Sequence, residues 1–202
     1  MEHIYTSVER AKGTLVLLHG TGGNEQSMLP IAKHLTDEWN VLSVRGEVNE
    51  NGALRFFKRL REGVLDEDDL IARTAQFHET LTHWANEYTF SLQDIVFIGY
   101  SNGANFAANY LLQFPNAVKG GILLHPMVPT RRHNVASLDE TSIFISAGIH
   151  DPLVPYEETE QLLDMYRSAH ANVQAHIESN GHQITYTELE AAKQWLTTLS
   201  RI

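Results

Sequence analysis

The sequence contains no cysteine among its 202 residues. A disulfide framework, a thiolate metal site and a cysteine nucleophile are therefore all excluded. Basic residues are also few, because 15 Lys and Arg stand against 25 Asp and Glu, which gives a formal net charge of −10. Nucleic acids and anionic membrane surfaces bind basic patches, so this balance argues against either as the main partner.

Long hydrophobic runs are missing as well. The longest apolar stretches, such as Thr14–Leu18, have the length of a strand, whereas a transmembrane helix needs about 20 apolar residues. The first ten residues, MEHIYTSVER, carry acidic side chains and no apolar run of signal-peptide length. We therefore expect a cytoplasmic protein that does not insert into membranes.

What the chain does contain is an ordinary globular composition, with 43% hydrophobic and 20% charged residues. Short apolar runs are typical of strands buried on both faces: Thr14–Leu18, Val41–Val44, Asp94–Ile98, Gly121–Leu124 and Ser142–Ser146. The run Val173–Ile177 alternates instead, which predicts a strand nearer the sheet edge. Amphipathic segments predict helices over Glu25–Leu35, Asp66–Tyr88, Gly103–Leu112, Glu157–Ser168 and Thr187–Leu199. This alternation indicates one α/β domain over residues 1–202, with a mostly parallel sheet and helices on both faces.

The sequence Gly99-Tyr100-Ser101-Asn102-Gly103 joins a predicted strand to a predicted helix. This Gly-x-Ser-x-Gly pattern is typical of a nucleophile elbow, a tight turn that projects a serine while the glycines let the strand and the helix approach closely. The N-terminus of the helix directs free N–H groups toward an oxyanion that forms there. We therefore predict that Ser101 is a nucleophile; the alternative is an ordinary turn in which the serine caps the helix.

A serine nucleophile needs a general base, and in this architecture the order along the chain is Ser, acid, His. Among the histidines after Ser101, His182 lies in a glycine-flanked turn between the last predicted strand and the last predicted helix. A loop there returns the imidazole to the carboxyl edge of the sheet, so His182 is the predicted base. His125, directly after an apolar strand, remains the main rival, whereas His170 and His176 are interpreted as structural or solvated.

The predicted acid is Asp151, which follows a buried strand within the sequence GIHDPLVP. Adjacent prolines make this loop rigid, which suits a carboxylate that must be held in one direction, although an Asp before Pro is also a common turn residue. Asp139 precedes the strand and so lies at the wrong edge of the sheet, and Asp164 falls within a helical pattern.

An oxyanion hole requires two backbone donors. In elbow enzymes one is the N–H after the nucleophile, here that of Asn102, and the other comes from the loop after an early strand, here within LHGTGGN. The same glycines do not form a dinucleotide-binding Gly-x-Gly-x-x-Gly, because Glu25 stands where the third glycine is needed.

The abundance of histidine, 11 residues, raises the question of a metal site. The segment from His78 to His83 is one residue too long for His-Glu-x-x-His, and a spacing of five turns the two side chains away from each other on a helix. We therefore predict no metal site.

The segment Arg45–Gly63 interrupts the alternation of strands and helices. It follows a strand, so it should lie at the carboxyl edge of the sheet, where open α/β folds bind ligands. We predict that Arg55 and Phe56 bind substrate, since a guanidinium holds carboxylate or carbonyl oxygens and a ring lines a pocket. The alternative is structural, with Arg55 paired to an acid such as Glu47 and the rings anchoring the loop.

Together these features resemble the α/β-hydrolase superfamily, through LLHGTGGNE, GYSNGAN, the Asp loop and the late Gly-His pair. The small size, without room for a separate lid domain, is similar to the phospholipase/carboxylesterase family that includes acyl-protein thioesterases. The segments LSVRGEVNENGALRFFKRLREGVLDEDDL and LLHPMVP are similar to a bacterial carboxylesterase branch, some of whose members are known as hydroquinone- or copper-induced hydrolases. The resemblance implies nucleophile Ser101, acid Asp151, base His182 and oxyanion donors at the backbone N–H groups of Thr21 and Asn102.

We therefore expect a serine hydrolase that cleaves small carboxylic esters with short or medium acyl chains through an acyl-enzyme, without a cofactor. Acyl thioesters are the close alternative, and a binding or sensing protein on a hydrolase scaffold is an alternative of another class. A dienelactone-type hydrolase is disfavoured because such enzymes typically use cysteine. The sequence does not fix the oligomeric state, and a monomer and a homodimer are both compatible with it.

Overall fold

A computed structural model describes residues 1–132 and 136–199 of the chain; His133, one of the histidines after Ser101, lies outside the described residues. The central sheet has seven strands: β1 (His3–Thr6), β2 (Thr14–Leu18), β3 (Asn40–Val44), β8 (Ile95–Tyr100), β9 (Gly120–Leu124), β10 (Ser142–Gly148) and β11 (Asn172–Glu178). The four remaining strands form two hairpins: β4 (Val48–Glu50) with β5 (Ala53–Arg55), and β6 (Arg59–Arg61) with β7 (Val64–Leu65). The helices are α1 (Leu29–Leu35), α2 (Glu67–Tyr88), α3 (Asn102–Gln113), α4 (Tyr156–Ser168) and α5 (Tyr186–Leu199), and a 3-10 turn spans Leu92–Asp94.

The strand order is β1-β3-β2-β8-β9-β10-β11, with β1 antiparallel to β3 and the other neighbouring pairs parallel. The predicted mostly parallel sheet with helices is confirmed, and the six predicted strands form its parallel part. Strand β1, sequence HIYT, was missed because it is a half-exposed edge strand of only four residues, too short to show a pattern.

Helices cover both faces of the sheet. Buried side chains of α2, α3 and α4 pack on one face, among them Phe77, Phe106 and Tyr166. Buried side chains of α1 and α5, such as Leu35 and Trp195, pack on the other face. Because both faces are covered, the central strands are apolar throughout, as in the fully buried TLVLL of β2. In the described part of the chain, no helix combines the length and apolarity required to cross a bilayer.

Helix α1 is shorter than the sequence predicts, since it begins at Leu29 instead of Glu25. The side chain of Asn24 accepts the N–H of Gln26 at 2.9 Å, which holds the preceding residues in a turn. Pro30 then occupies the first helical turn, where its missing N–H costs nothing. Glu25 is thereby released to pair with Arg45.

The first hairpin and strand β6 belong to the segment Arg45–Gly63, which interrupts the predicted alternation, and β7 follows directly after it. The tip of the first hairpin is Asn51-Gly52, where both residues have positive φ, 52° and 93°, as a two-residue hairpin turn requires. Since the segment follows β3, both hairpins lie at the carboxyl edge of the sheet. There the first hairpin contacts the loop after β2, since the N–H of Gly22 donates to the Leu54 carbonyl at 2.9 Å.

Candidate active site

Ser101 lies at a sharp turn between β8 and α3. Its backbone has φ 51° and ψ −112°, a conformation that a residue with a side chain rarely adopts, and its N–H donates to the Leu124 carbonyl at 2.9 Å. The turn requires both motif glycines. A Cβ at Gly99 would lie 2.6 Å from the Gly103 carbonyl oxygen, and a Cβ at Gly103 would overlap the Leu18 carbonyl. The elbow therefore depends on strand, turn and helix being in direct backbone contact.

Three of the predicted site residues form one hydrogen-bonded chain. The Nε2 atom of His182 is 2.8 Å from Ser101 Oγ, and its Nδ1 atom is 2.6 Å from Asp151 Oδ2. Asp151 follows β10 and His182 lies between β11 and α5, so both arrive at the carboxyl edge next to the elbow. An ionised carboxylate can only accept a hydrogen bond, so Nδ1 of His182 carries the proton and Nε2 is free to accept one from the serine hydroxyl.

The loop around Asp151 holds its carboxylate in place. Burial alone would oppose ionisation, but the hydrogen bonds from His182 and from the N–H groups of Leu153 and Val154 outweigh it and lower the pKa of Asp151. The two backbone donors reach Oδ1 at 2.8 and 3.0 Å, which leaves Oδ2 for the histidine. The residue is therefore an anion at neutral pH and keeps a fixed orientation.

The two predicted oxyanion donors, Thr21 and Asn102, border the same cleft as Ser101. Within residues 1–132 and 136–199, neither backbone N–H donates to a protein acceptor. Asn102 is the first residue of α3, so its N–H also belongs to the positive end of the helix dipole. Their role as oxyanion donors stays a prediction.

His19 stabilises the loop that carries Thr21, a role that the sequence alone did not suggest. It is buried, and its Nδ1 donates to the Gly20 carbonyl at 2.7 Å while its Nε2 accepts the N–H of Gly46 at 3.0 Å. Burial lowers the pKa of His19, which matches the neutral tautomer that these two partners require. The side chain thus ties the loop after β2 to the segment after β3.

Arg55 and Phe56, the predicted substrate-binding residues, occupy different environments. The Arg55 guanidinium borders the cleft, although the residue is only 4% exposed; burial and the neighbouring Arg59 lower its pKa, against an opposing effect of Glu50. The Phe56 ring is buried against His19 and Phe106, with ring centroids 4.8 and 5.2 Å apart. It is not among the residues that line the cleft, so its placement favours the structural alternative for Phe56.

The cleft has a volume of about 290 Å³. Its apolar wall includes Leu65, Met127 and Leu153, and its polar wall includes Arg55 and Arg59. The serine, the histidine and the two oxyanion donors lie on its surface. Glu62 also borders the cleft, so the reactive groups adjoin a surface that combines apolar side chains with two cations and one carboxylate.

In the part of the chain that the structure describes, the other aspartates and histidines that were candidates for the acid and the base form no hydrogen bond with Ser101. Asp139 and Asp164 are exposed and lie away from the cleft lining, and His176 pairs with Glu178 at 2.8 Å. His125 differs from these residues, because its Nδ1 lies 3.4 Å from Asp151 Oδ2, on the buried side of the carboxylate. It does not reach Ser101 through a hydrogen bond among the described residues, so it is a neighbour of the acid and not an alternative base.

Two sets of residues bear on metal binding. His78 stacks on Phe114 and bonds to the Tyr110 hydroxyl at 2.7 Å, whereas His83 is exposed beside Glu87. His125, Asp151 and His182 have ligand atoms within 4.8 Å of one another. However, His182 and Asp151 bond directly to each other at 2.6 Å, which suits a shared proton better than an ion between them.

The sheet order, the covering helices and the elbow after β8 define an α/β-hydrolase fold. The chain belongs to the phospholipase/carboxylesterase family, whose sequence model matches residues 1–200, and it is an enzyme that acts on ester bonds.

Relatives of known structure or name support this assignment. A crystal structure of a Bacillus cereus carboxylesterase is 49% identical, with a TM-score of 0.96 over 98% of this chain and 94% of that one. The structure of YahD with malic acid is 28% identical, with a TM-score of 0.92 over 98% of each chain. A Bacillus subtilis (strain 168) protein named "Putative hydrolase MhqD" is 42% identical over 199 residues, covering 96% of this chain and 97% of the relative.

Proposed function

We propose that the enzyme is a serine esterase that uses Ser101 as nucleophile, His182 as general base and Asp151 as the acid that orients the base. One observation carries the proposal: the hydrogen-bonded chain from Ser101 through His182 to Asp151, at 2.8 and 2.6 Å, borders a cleft. A serine is a weak nucleophile by itself, and an adjacent oriented imidazole is the group that activates it.

The mechanism follows from these contacts. Ser101 Oγ attacks the acyl carbonyl while its proton moves to His182 Nε2, and the Asp151 carboxylate stabilises the imidazolium. The N–H groups of Thr21 and Asn102 bind the oxyanion of the tetrahedral intermediate. The imidazolium then protonates the leaving alcohol, which yields the acyl-enzyme. Water, deprotonated by the same histidine, cleaves the acyl-enzyme and restores the serine.

The cleft supports a small ester that carries a carboxylate or an additional carbonyl group. A volume of about 290 Å³ suits a short or medium acyl chain, and Met127 and Leu153 provide apolar surface for it. We propose that the Arg55 guanidinium binds the oxygen of the carboxylate or carbonyl group. The relative YahD, whose structure was determined with malic acid, a small dicarboxylic acid, supports this choice.

Labelling with a fluorophosphonate probe tests the nucleophile directly, because such probes react with an activated serine. The wild type should be labelled, and Ser101→Ala should lose both the label and the hydrolysis of p-nitrophenyl esters. Ser168→Ala, at an exposed serine at the end of α4, is the matched control and should retain both. Labelling and turnover that survive in Ser101→Ala would refute the proposal and place the nucleophile at another serine.

Substrate class is measured by comparing kcat/KM across matched sets. Neutral and carboxylate-bearing esters of graded acyl length form one set, and oxygen and sulfur esters of the same acid form the other. We expect the highest values for short or medium carboxylate-bearing acyl groups on oxygen esters. A clear preference for the sulfur esters would identify the enzyme as a thioesterase instead.

A further inference from the structure

Behind the proposed triad lies a second histidine–carboxylate pair that the mechanism above does not use. The Nε2 atom of His125 is 3.1 Å from Glu188 Oε1, and its Nδ1 atom is 3.4 Å from Asp151 Oδ2. The side chains of His125 and Glu188 are completely buried, and that of Asp151 is 2% exposed. Two ionisable side chains are thus enclosed directly against the carboxylate that orients the base.

Groups from four parts of the chain face the His125 imidazole. Asp151 follows β10, Glu188 belongs to α5, His182 precedes α5 and Tyr100 ends β8. The ring centroids of His182 and Tyr100 are 5.3 and 6.1 Å away. Burial, together with the charges of Asp151 and Glu188, raises the pKa of Tyr100, so the phenol stays neutral and His125 faces two carboxylates.

These neighbours determine where the protons lie. His125 Nδ1 is buried without a hydrogen-bond partner among the residues with a described structure, and Asp151 Oδ2 lies 3.4 Å from it. Because Asp151 is an anion, a hydrogen on Nδ1 is favoured over a bare nitrogen, which would set one lone pair against another. With that hydrogen, His125 directs an N–H toward Asp151.

The backbone shows that His125 is held where it is. It has a positive φ of 54°, which is unusual for a residue with a side chain, and its N–H donates to the Ser146 carbonyl at 2.9 Å. Glu188 is also fixed, because it forms a capping box with Thr185: its carboxylate accepts the Thr185 N–H at 2.7 Å, and the Thr185 hydroxyl accepts the Glu188 N–H at 3.1 Å.

We propose that His125, held by Glu188, is a positioning residue for the catalytic acid: its Nδ1–H faces the Asp151 carboxylate from the buried side and offsets part of its charge. The inference rests on the proposed triad. Oδ1 of Asp151 accepts from two backbone donors, whereas Oδ2 bonds to His182 at 2.6 Å and lies 3.4 Å from Nδ1 of His125. The strength with which Asp151 stabilises the imidazolium of His182 then depends on His125.

Removing the Nδ1–H has a definite direction of effect. Asp151 would carry more uncompensated charge and would stabilise the protonated form of His182 more strongly, so the acid-side limb of kcat/KM would move to higher pH. The carboxylate would also lose one of its fixed directions, so kcat would fall while KM changes little, because the residue does not contact substrate.

The test compares two double variants that differ only at position 125. Both contain Glu188→Gln, which keeps the capping box; one adds His125→Asn, which places an N–H where Nδ1 was, and the other adds His125→Leu, of similar size without a donor. We expect His125→Leu/Glu188→Gln to lose about two- to tenfold in kcat, the loss that one weak polar contact accounts for. Its acid limb should move to higher pH, and His125→Asn/Glu188→Gln should recover most of both properties.

Equal kcat values and equal acid limbs in the two double variants, with both folded by circular dichroism, would overturn the proposal. A second measurement needs no variant to fold: ¹⁵N NMR of histidine-labelled wild type reports directly on His125 Nδ1. A protonated Nδ1 across the active pH range is expected, and a bare Nδ1 would overturn the proposal. If Ser101→Ala retains turnover, the proposed function fails instead, so the two failures are distinguishable.

Discussion

The Arg55 guanidinium donates a hydrogen bond to the Thr21 hydroxyl over 2.6 Å. Directly beside it, the backbone N–H of Phe56 donates to the side-chain oxygen of Asn102 at 2.8 Å. The residues predicted to bind substrate are therefore bonded to the two residues predicted to supply the oxyanion donors. One hairpin thus supports both sides of the proposed oxyanion hole.

Replacing Arg55 should affect selectivity as well as rate. Arg55→Met removes the bond to Thr21 and the charge at the cleft, so kcat/KM should fall for every ester. For a carboxylate-bearing ester we expect a further loss of about tenfold relative to its neutral counterpart, as for a charge-assisted hydrogen bond. Steady-state kinetics on the matched pair measures this. Lys58→Met, at a largely exposed cation nearby, is the control and should leave the ratio of the two kcat/KM values unchanged. If Arg55→Met also left this ratio unchanged, Arg55 would support the loop structure and would not bind substrate.

Phe56 should matter for stability. Its ring is 3% exposed and packs against Phe106, so Phe56→Ala should lower the free energy of unfolding by about 3–5 kcal/mol. Leu60→Ala, at a side chain that is 70% exposed, should change it by less than about 0.5 kcal/mol. Urea unfolding measures both. If Phe56→Ala had a normal unfolding midpoint and an altered substrate preference, Phe56 would be a substrate-binding residue and not a structural one.

Asp→Asn substitutions, which remove the charge and keep the shape, distinguish the acid of the proposed triad from other aspartates. Asp151→Asn should reduce kcat by about 10⁴-fold, because an amide no longer holds the imidazole in the required tautomer. Asp139→Asn and Asp164→Asn serve as controls and should retain the activity of the wild type. Activity that survives in Asp151→Asn but is lost in one of the controls would move the acid elsewhere.

The dependence of activity on pH should show a single ionisation on the acid side. His182 must be neutral to accept the serine proton, and histidines titrate between about pH 5 and 8. Since the pKa of Asp151 is lowered, its carboxylate stays charged throughout that range and adds no second step. The logarithm of kcat/KM should therefore fall with a slope of one as pH decreases. A slope of two would mean that another group must also lose a proton.

Much of the fold was predictable because the central strands are buried on both faces and therefore read as continuous apolar runs. The elbow was predictable for a local reason, since the turn at Ser101 requires glycine on both sides. Asp151 and His182 were placed by the rule that loops after parallel strands meet at one edge of the sheet. These inferences use either local sterics or chain order, both of which a sequence displays.

The remaining features depend on contacts between distant positions. Glu188 has the appearance of an ordinary surface acid of an amphipathic helix, and only the packing of α5 buries it against His125. Likewise, Arg55 and Thr21 are 34 positions apart, and no local pattern links them. The burial of Phe56 could not be predicted, because the two strands of the preceding hairpin have three residues each and are too short to show a hydrophobic pattern.

The order of the proposed site residues along the chain has a consequence for biosynthesis. Ser101 precedes His182 by 81 positions, and Asp151 precedes it by 31. Since a ribosome makes the N-terminal part first, the elbow emerges long before the proposed acid and base. With the proposed triad, a nascent or prematurely terminated chain would carry an unreactive serine, and reactivity would arise only when the loop after β11 reaches the elbow.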